Sequence, residues 1–434
     1  MKRTLPTLGA ALASVALFTS ACGGSSGGGS GSSLNASAGA KPASGTITIW
    51  ARDSEKGFMS LLVDAYNKSH SVKATVTIIP APNFVQKFGT ASASGSGPDV
   101  AAIDLVYLPY FASKGVLEDI SSVESSLPYK DGLSKAHMKL ATYNGKQYAL
   151  PFSAEASVMF WNKDLFKKAG LDPNKPPANF AEIRADAKKI RALGSDTYGF
   201  VMAGACGGCN VFETAPYIWA SGGDILSQDG KKAELDSPQV TDTLTFLHGM
   251  WTDGSMPSLA KTDNGTGQAA AFQSGKVGIV NLGAFFVQTL NADKKVNFGV
   301  AGIPGKTGGT ASFAGGDEIA VTKTAKNKTG AWDFVKWATS EEAQTILAKN
   351  SIVPVRTDLI SKIYAPLDPR FKTLGDAMAS GRTPYSVNEN AMINDNNGPW
   401  AKLINQAVFG SGDIKADQAS AQKSAQSILD NGGS

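Results

Sequence analysis

Cysteine and histidine are scarce: three of each in 434 residues. His70, His137 and His248 are scattered, and no second cysteine pair accompanies Cys206 and Cys209. The ligand spacing of a zinc site is therefore missing, and no metal or cofactor is expected. Charge is sparse too, at 18% charged residues with a formal net charge of +4. No Lys/Arg stripe interleaved with aromatics occurs, which removes nucleic acid as a partner. No Gly-x-x-x-x-Gly-Lys-Ser/Thr loop is present to cradle phosphates, so any ATPase would be another subunit. Beyond the N-terminus nothing approaches the roughly eighteen uninterrupted apolar residues of a membrane span, and the body is expected to be soluble. A glycosidase needs two carboxylates about 5–9.5 Å apart, and no spacing here marks out such a pair. Gly24-Ser25-Ser26-Gly27-Gly28 fits a nucleophile-elbow pattern but lies in a Gly/Ser run with no strand or helix around it.

The N-terminus has a clear plan. Lys2 and Arg3 precede a mostly apolar run, Leu5 to Phe18, and the small residues Thr19-Ser20-Ala21 lead to Cys22. This order predicts a secretory signal over residues 1–21. Cys22 with a Gly/Ser tract behind it resembles the lipobox of a bacterial lipoprotein, with Thr19 where leucine is usual. The other reading is an ordinary secretory signal with an incidental cysteine. A lipid on Cys22 would anchor the protein, each buried methylene contributing about 0.8 kcal/mol. Residues 22–44 would then be a flexible tether holding the body on the extracytoplasmic face of the cell membrane. In an exported chain Cys206 and Cys209 are expected to form a disulfide, the two intervening glycines permitting a tight turn. A redox-active Cys-x-x-Cys is the alternative.

Past the tether, strands alternate with helices. Thr46–Trp50, Lys73–Ile79, Val100–Ile103, Ser157–Trp161, Val277–Val280 and Ile319–Val321 read as strands. Helical spacing is seen near Lys56–Ser69, Val85–Ser94, Asn179–Leu193, Pro238–Trp251 and Gly267–Gln273. It dominates the last third, at Gly330–Thr339, Ser340–Lys349, Lys372–Ala379, Trp400–Phe409 and Lys415–Leu429. The class is α/β. About 390 residues of body are enough for two domains of roughly 100–200 residues each.

Several blocks, in order, resemble the sugar-type solute-binding proteins of ABC importers, the maltose- and trehalose-binding lineage. They are Ile47 to Phe58, Gly97 to Asp104 with Tyr110 to Leu117, and Gly145 to Pro151 with Phe160 to Phe166. Ala331 to Gln344, Ser351 to Arg356, and Trp400 to Leu429 with a Gly410-Ser411-Gly412 turn complete the set. The resemblance implies a two-lobed periplasmic-binding-protein (Venus flytrap) fold with hinge strands near 153–156 and 310–313. Lobe 1 would span 45–153 and 312–358, and lobe 2 would span 154–311 and 359–434. The implied function is non-catalytic capture of a mono- or oligosaccharide and delivery to an ABC permease with its separate ATPase, by a monomer. A secreted carbohydrate-active enzyme is the alternative from another class; a binding protein for a polyamine or glycerol phosphate is the alternative within this one.

A sugar presents vicinal hydroxyls, matched by carboxylates, amides and guanidinium groups, and apolar C–H patches, matched by flat aromatic rings. After the first strand, Arg52, Asp53 and Glu55 are candidates, Glu55 falling where the maltose-binding pattern has a sugar-contacting acid. Its other reading is a helix N-terminal charge. Asp104 ends the third strand, where the family often places a sugar-binding carboxylate, whereas Asp99 is read as pairing with loop backbone. Glu155 matches a hinge glutamate or forms a hinge salt bridge. From the second lobe come Asn210 and Phe212, at positions where the maltose-binding pattern has a glutamate and an aromatic. Phe285 lies near the family's stacking tryptophan, or it is core. Asp317 follows Gly315-Gly316, and Trp400 starts a helix either as a stacking ring or as an anchor.

Overall fold

The computed structural model describes Leu34, residues 43–410 and residues 413–432. The signal, Cys22 and most of the tether lie outside these residues, as do Ser411 and Gly412 of the expected turn. Among the described residues no helix is long and apolar enough to cross a membrane.

Among the described residues there are twelve strands. β1 (Thr46–Arg52), β2 (Lys73–Ile79) and β3 (Val100–Asp104) are followed by a hairpin of β4 (Thr142–Tyr143) and β5 (Lys146–Gln147). Next come β6 (Leu150–Asn162), β7 (Tyr198–Val201), β8 (Val277–Gly283) and β9 (Phe298–Ala301). A second hairpin, β10 (Ile303–Gly305) with β11 (Gly308–Ala311), precedes β12 (Ala314–Val321). The main sheet runs β2-β1-β3-β12-β6-β8-β7, with β9 also pairing to β6.

β6 organises the whole. Leu150–Ala156 pairs with β12, whereas Ser157–Trp161 pairs with β8 and Met159–Asn162 with β9. One strand thus passes from one half of the sheet to the other, and twelve of its thirteen residues are buried. Sequence alone suggests only Ser157–Trp161, because Pro151 interrupts the pattern. The register explains its tolerance: Asp317 faces Ser153 and Glu318 faces Pro151, so Phe152 is the extra residue of a bulge that accommodates a residue without an N–H.

Strand alternation sends Val100 and Ala102 to one face of the first half and Ala101 and Ile103 to the other. The first face packs on helices Lys56–Ser69 and Lys328–Ala338 through Met59, Leu62, Tyr66, Phe334 and Val335. The second packs on helix Ala81–Ala93 through Phe84 and Phe88, each burial worth about 1.5–3 kcal/mol. That helix starts earlier than the sequence suggests because Pro82 sits in its first turn, where no N–H is needed. A third core joins β7, β8 and β9 to the C-terminal helices Phe371–Ala379, Pro399–Phe409 and Ile414–Asn431.

Gly207–Ala220 is the longest of the helices that sequence does not suggest, others being Lys135–Leu140 and Phe286–Asp293. Two glycines in its first turn and Pro216 inside it hide the helical signal. Burial of Val211, Ala215, Tyr217, Ile218 and Trp219 outweighs that propensity. Cys206 and Cys209 are bonded, with Cα atoms 5.2 Å apart. They sit at the cap and first turn of this helix and not in a free-standing tight turn, which is a correction of detail.

Candidate functional site

The carboxyl ends of parallel strands are where open α/β sheets place ligands, and here two such ends meet the neighbouring β12. Arg52 closes β1, Asp104 closes β3, and antiparallel pairing sets Asp317 of β12 opposite Asp104. The Arg52 guanidinium binds Asp104 at 2.7 Å and also Asp317, and its Nε lies 3.7 Å from Glu55. Burial works against its charge, yet Asp317, Asp104 and Glu55 together hold it protonated well above its ordinary range. Asp317 also accepts from Ser153 Oγ at 3.1 Å. Asp104 caps the turn after β3 by accepting from Val106 N at 3.3 Å. Gly316 lets β12 come this close to β6: at φ +123°, a Cβ there would lie 2.1 Å from Ser153 O.

Beside this cluster opens a cleft of about 510 Å³ walled from both halves of the sheet. Asp104, Tyr107, Gly315 and Gly316 line one side, and Glu155 of β6 lies between the two. Phe212, Glu213, Gln268, Phe285 and the Cys206–Cys209 bridge line the other. Phe313 backs Phe212 with ring centroids 5.4 Å apart. Phe285 remains 48% exposed, a large ring facing open space. No lysine, arginine or histidine is among the lining residues.

Burial shifts the acids of the wall upward to different degrees. Burial pushes Glu155 to about 8, against N–H groups of Phe285, Ala284 and Ala156 that favour the carboxylate. Burial pushes Glu213 to about 8 as well, opposed by the Gln268 amide and the Ala203 N–H. Burial also raises Asp104, while Arg52 opposes the rise and supplies a compensating cation. Tyr107 is pushed to about 12 by burial and by Asp104.

The structure brings Asp104, Glu155, Phe212 and Phe285 to the cleft wall. The other sequence candidates lie elsewhere. Arg52 and Asp317 form the layer beneath Asp104. Glu55 is 1% exposed and accepts from Arg52 N at 3.1 Å; burial, then Asp317, raise it well above the usual carboxylate range. Asp53 instead ties its turn to the start of helix Ala81–Ala93, accepting from Ala81 N at 3.1 Å. Asn210 is fully buried behind the disulfide loop, donating to Gly204 O at 3.3 Å. Trp400 is 1% exposed in the third core, so in this conformation it anchors its helix and offers no face to the cleft. Asp99 bonds Thr48 N at 2.8 Å and Lys326 N at 2.7 Å, as a loop-pairing residue should.

Sequence reasoning missed Tyr107, Glu213, Gln268, Phe313, Asn394 and Asn396, all of which line the cleft. Tyr107 had a local signal, three residues beyond Asp104. Gln268 had none, because only the tertiary fold brings its helix against Glu213.

Residues 51–345 match the model of the bacterial extracellular solute-binding proteins. A binding protein of Brucella abortus (strain 2308) is 29% identical over 292 residues, 65% of this chain and 68% of its own. The maltooligosaccharide ABC transporter solute-binding lipoprotein of Streptococcus pneumoniae serotype 4 is 27% identical over 376 residues, 85% of each chain. Among solved structures, the cyclic α-maltosyl-1,6-maltose binding protein from Arthrobacter globiformis superposes with a TM-score of 0.77 at 25% identity. That superposition covers 89% of this chain and 99% of the other. The fold is thus the two-lobed α/β fold of these proteins, and the chain belongs to the bacterial extracellular solute-binding protein family.

Proposed function

We propose that this chain captures a neutral saccharide between its two lobes and hands it to an ABC permease. The observation that carries this is the composition of the cleft: the exposed ring of Phe285 and the half-buried rings of Phe212 and Tyr107 beside hydroxyl-matching acids and amides, with no lining cation. An anion such as a glycerol phosphate would meet carboxyl groups and no counter-charge. A polyamine would need ionised acids, yet burial raises Glu155 and Glu213 to about 8, which makes their ionisation costly, and Asp104 is already paired with Arg52. A polyhydroxylated ring fits both constraints, stacking on Phe285 or Phe212 and bonding Asp104, Glu155 and Gln268. Relatives named for maltooligosaccharide and cyclic maltosyl-maltose binding support the same class.

In this reading lobe 1 comprises 45–153 and 312–358, and lobe 2 comprises 154–311 and 359–434. β6 and the segment entering β12 then serve as the hinge, since pairing partners change along β6 between Ala156 and Ser157. Closure about such strands buries the ligand. The protein works without catalysis, as a monomer, anchored through lipid on Cys22 at the extracytoplasmic face; a relative described as a lipoprotein supports the anchor.

A thermal-shift screen against mono- and oligosaccharides, polyamines and glycerol phosphates tests this reading. A saccharide that raises the melting temperature and is recovered unchanged is the expected result. Turnover to product, or a shift with polyamines alone, contradicts it.

A further inference from the structure

We propose that the Cys206–Cys209 disulfide is a positioning element of the solute cleft, so that affinity requires it to be closed. The inference rests on the saccharide-capture reading. The bond links residues only three apart in sequence, so it removes little chain entropy and is poorly placed to hold the fold together. Its place in the fold is more telling, because both cysteines line the cleft.

Two ligand-facing segments are packed against the bridge. On one side Gly207 N donates to Asn396 Oδ1 at 2.8 Å. Cβ atoms at Gly207 and Gly208 would come within 2.6 Å of Ile393 O and 2.9 Å of Asn394 Oδ1, so the 393–396 segment rests directly on the Cys-Gly-Gly-Cys loop. On the other side Gly265, at φ +106°, sits so near that a Cβ there would be 2.6 Å from Cys209 Sγ. Asp263 fixes that loop by accepting from Gly265 N at 3.1 Å and Gly267 N at 2.8 Å, and Ala205 N donates to Asp263 O at 2.8 Å. Asn394, Asn396, Gly265 and Gln268 all face the cleft. The bridge is the common support of both segments.

Reduction adds two electrons and two protons, breaks the S–S bond and leaves two thiols; dithiothreitol supplies both and closes to its cyclic disulfide. Without the cross-link, the Cys-Gly-Gly-Cys loop that supports Gly265 on one side and the 393–396 segment on the other is no longer tied at both ends, so the wall it carries can shift.

Calorimetric titration of the full chain with glucose, maltose, maltotriose and diacetylchitobiose, before and after dithiothreitol, tests the proposal. The expected result is at least tenfold weaker binding of the saccharide that the oxidised chain takes. Circular dichroism of the ligand-free chain should be unchanged, and affinity should return on reoxidation. The Cys206→Ala/Cys209→Ala chain should behave as the reduced one. Equal affinity in both redox states overturns the inference and leaves saccharide capture intact. Loss of the native circular dichroism spectrum on reduction overturns it too, by making the bond a folding staple. Failure of the oxidised chain to bind any of the four removes the capture reading and the inference with it.

Discussion

Glu155 sits where the strand shared by both halves crosses, and its carboxyl should make stability depend on pH. Burial raises it from 4.5 to about 8, so the native state holds a proton that the unfolded chain releases. The contribution is fully present below the unfolded value and is lost as pH rises through the folded one. The full difference corresponds to about 5 kcal/mol. Glu155 faces the cleft, and water there screens the ionised form, which brings the working figure down to about 2 kcal/mol. Glu155→Gln keeps an oxygen for Phe285 N and Ala156 N, which the carboxylate accepts at 3.3 and 3.2 Å, but cannot ionise. Urea unfolding at pH 5 to 9, followed by tryptophan fluorescence, gives the comparison. The variant and wild type should lie within about 1 kcal/mol at pH 5, with the variant more stable by about 2 kcal/mol at pH 9. Glu213 is present in both chains and cancels. A difference that is flat with pH, or that favours wild type at high pH, refutes the reasoning.

Arg52→Met leaves Asp104, Asp317 and Glu55 without their shared cation, and urea unfolding should show a loss of about 3–5 kcal/mol. A loss below about 1 kcal/mol would mean that the cluster is not held by charge. Phe285→Ala, at an exposed ring, should change stability by less than about 0.5 kcal/mol. The same change should weaken saccharide binding about three- to tenfold by calorimetry; unchanged affinity removes Phe285 from the site. Trp400→Ala should cost about 3–5 kcal/mol of stability as a core truncation. The surviving folded protein should bind saccharide within about twofold of wild type, and a larger loss at full folding would place the indole in the site after all.

Much of the architecture was legible because it rests on local periodicity. β1, β2 and helix Lys56–Ser69 carry strong alternation or helical spacing and well-defined breaks. Helix Gly207–Ala220 was not legible, since its glycines and Pro216 argue against it and only tertiary burial supports it. The site divides in the same way. Strand order placed Asp104 at a sheet end, but nothing local tells that Asp53 turns toward Ala81 N while Glu55 turns under Arg52. Trp400 shows the limit clearly: an aromatic at a helix start can stack on a ligand or fill a core, and only the packing of the C-terminal helices decides. Gln268 and Asn396 belong to the cleft through contacts between distant segments, which no window of sequence contains.

Solute is expected to bind in the cleft between the halves of the sheet. A crystal structure of the chain with the saccharide that stabilises it most tests this directly. Sugar density should lie within hydrogen-bond reach of Asp104 and Glu155, with a ring face on Phe212 or Phe285. Density elsewhere on the surface, or an empty cleft at saturating saccharide, would contradict it.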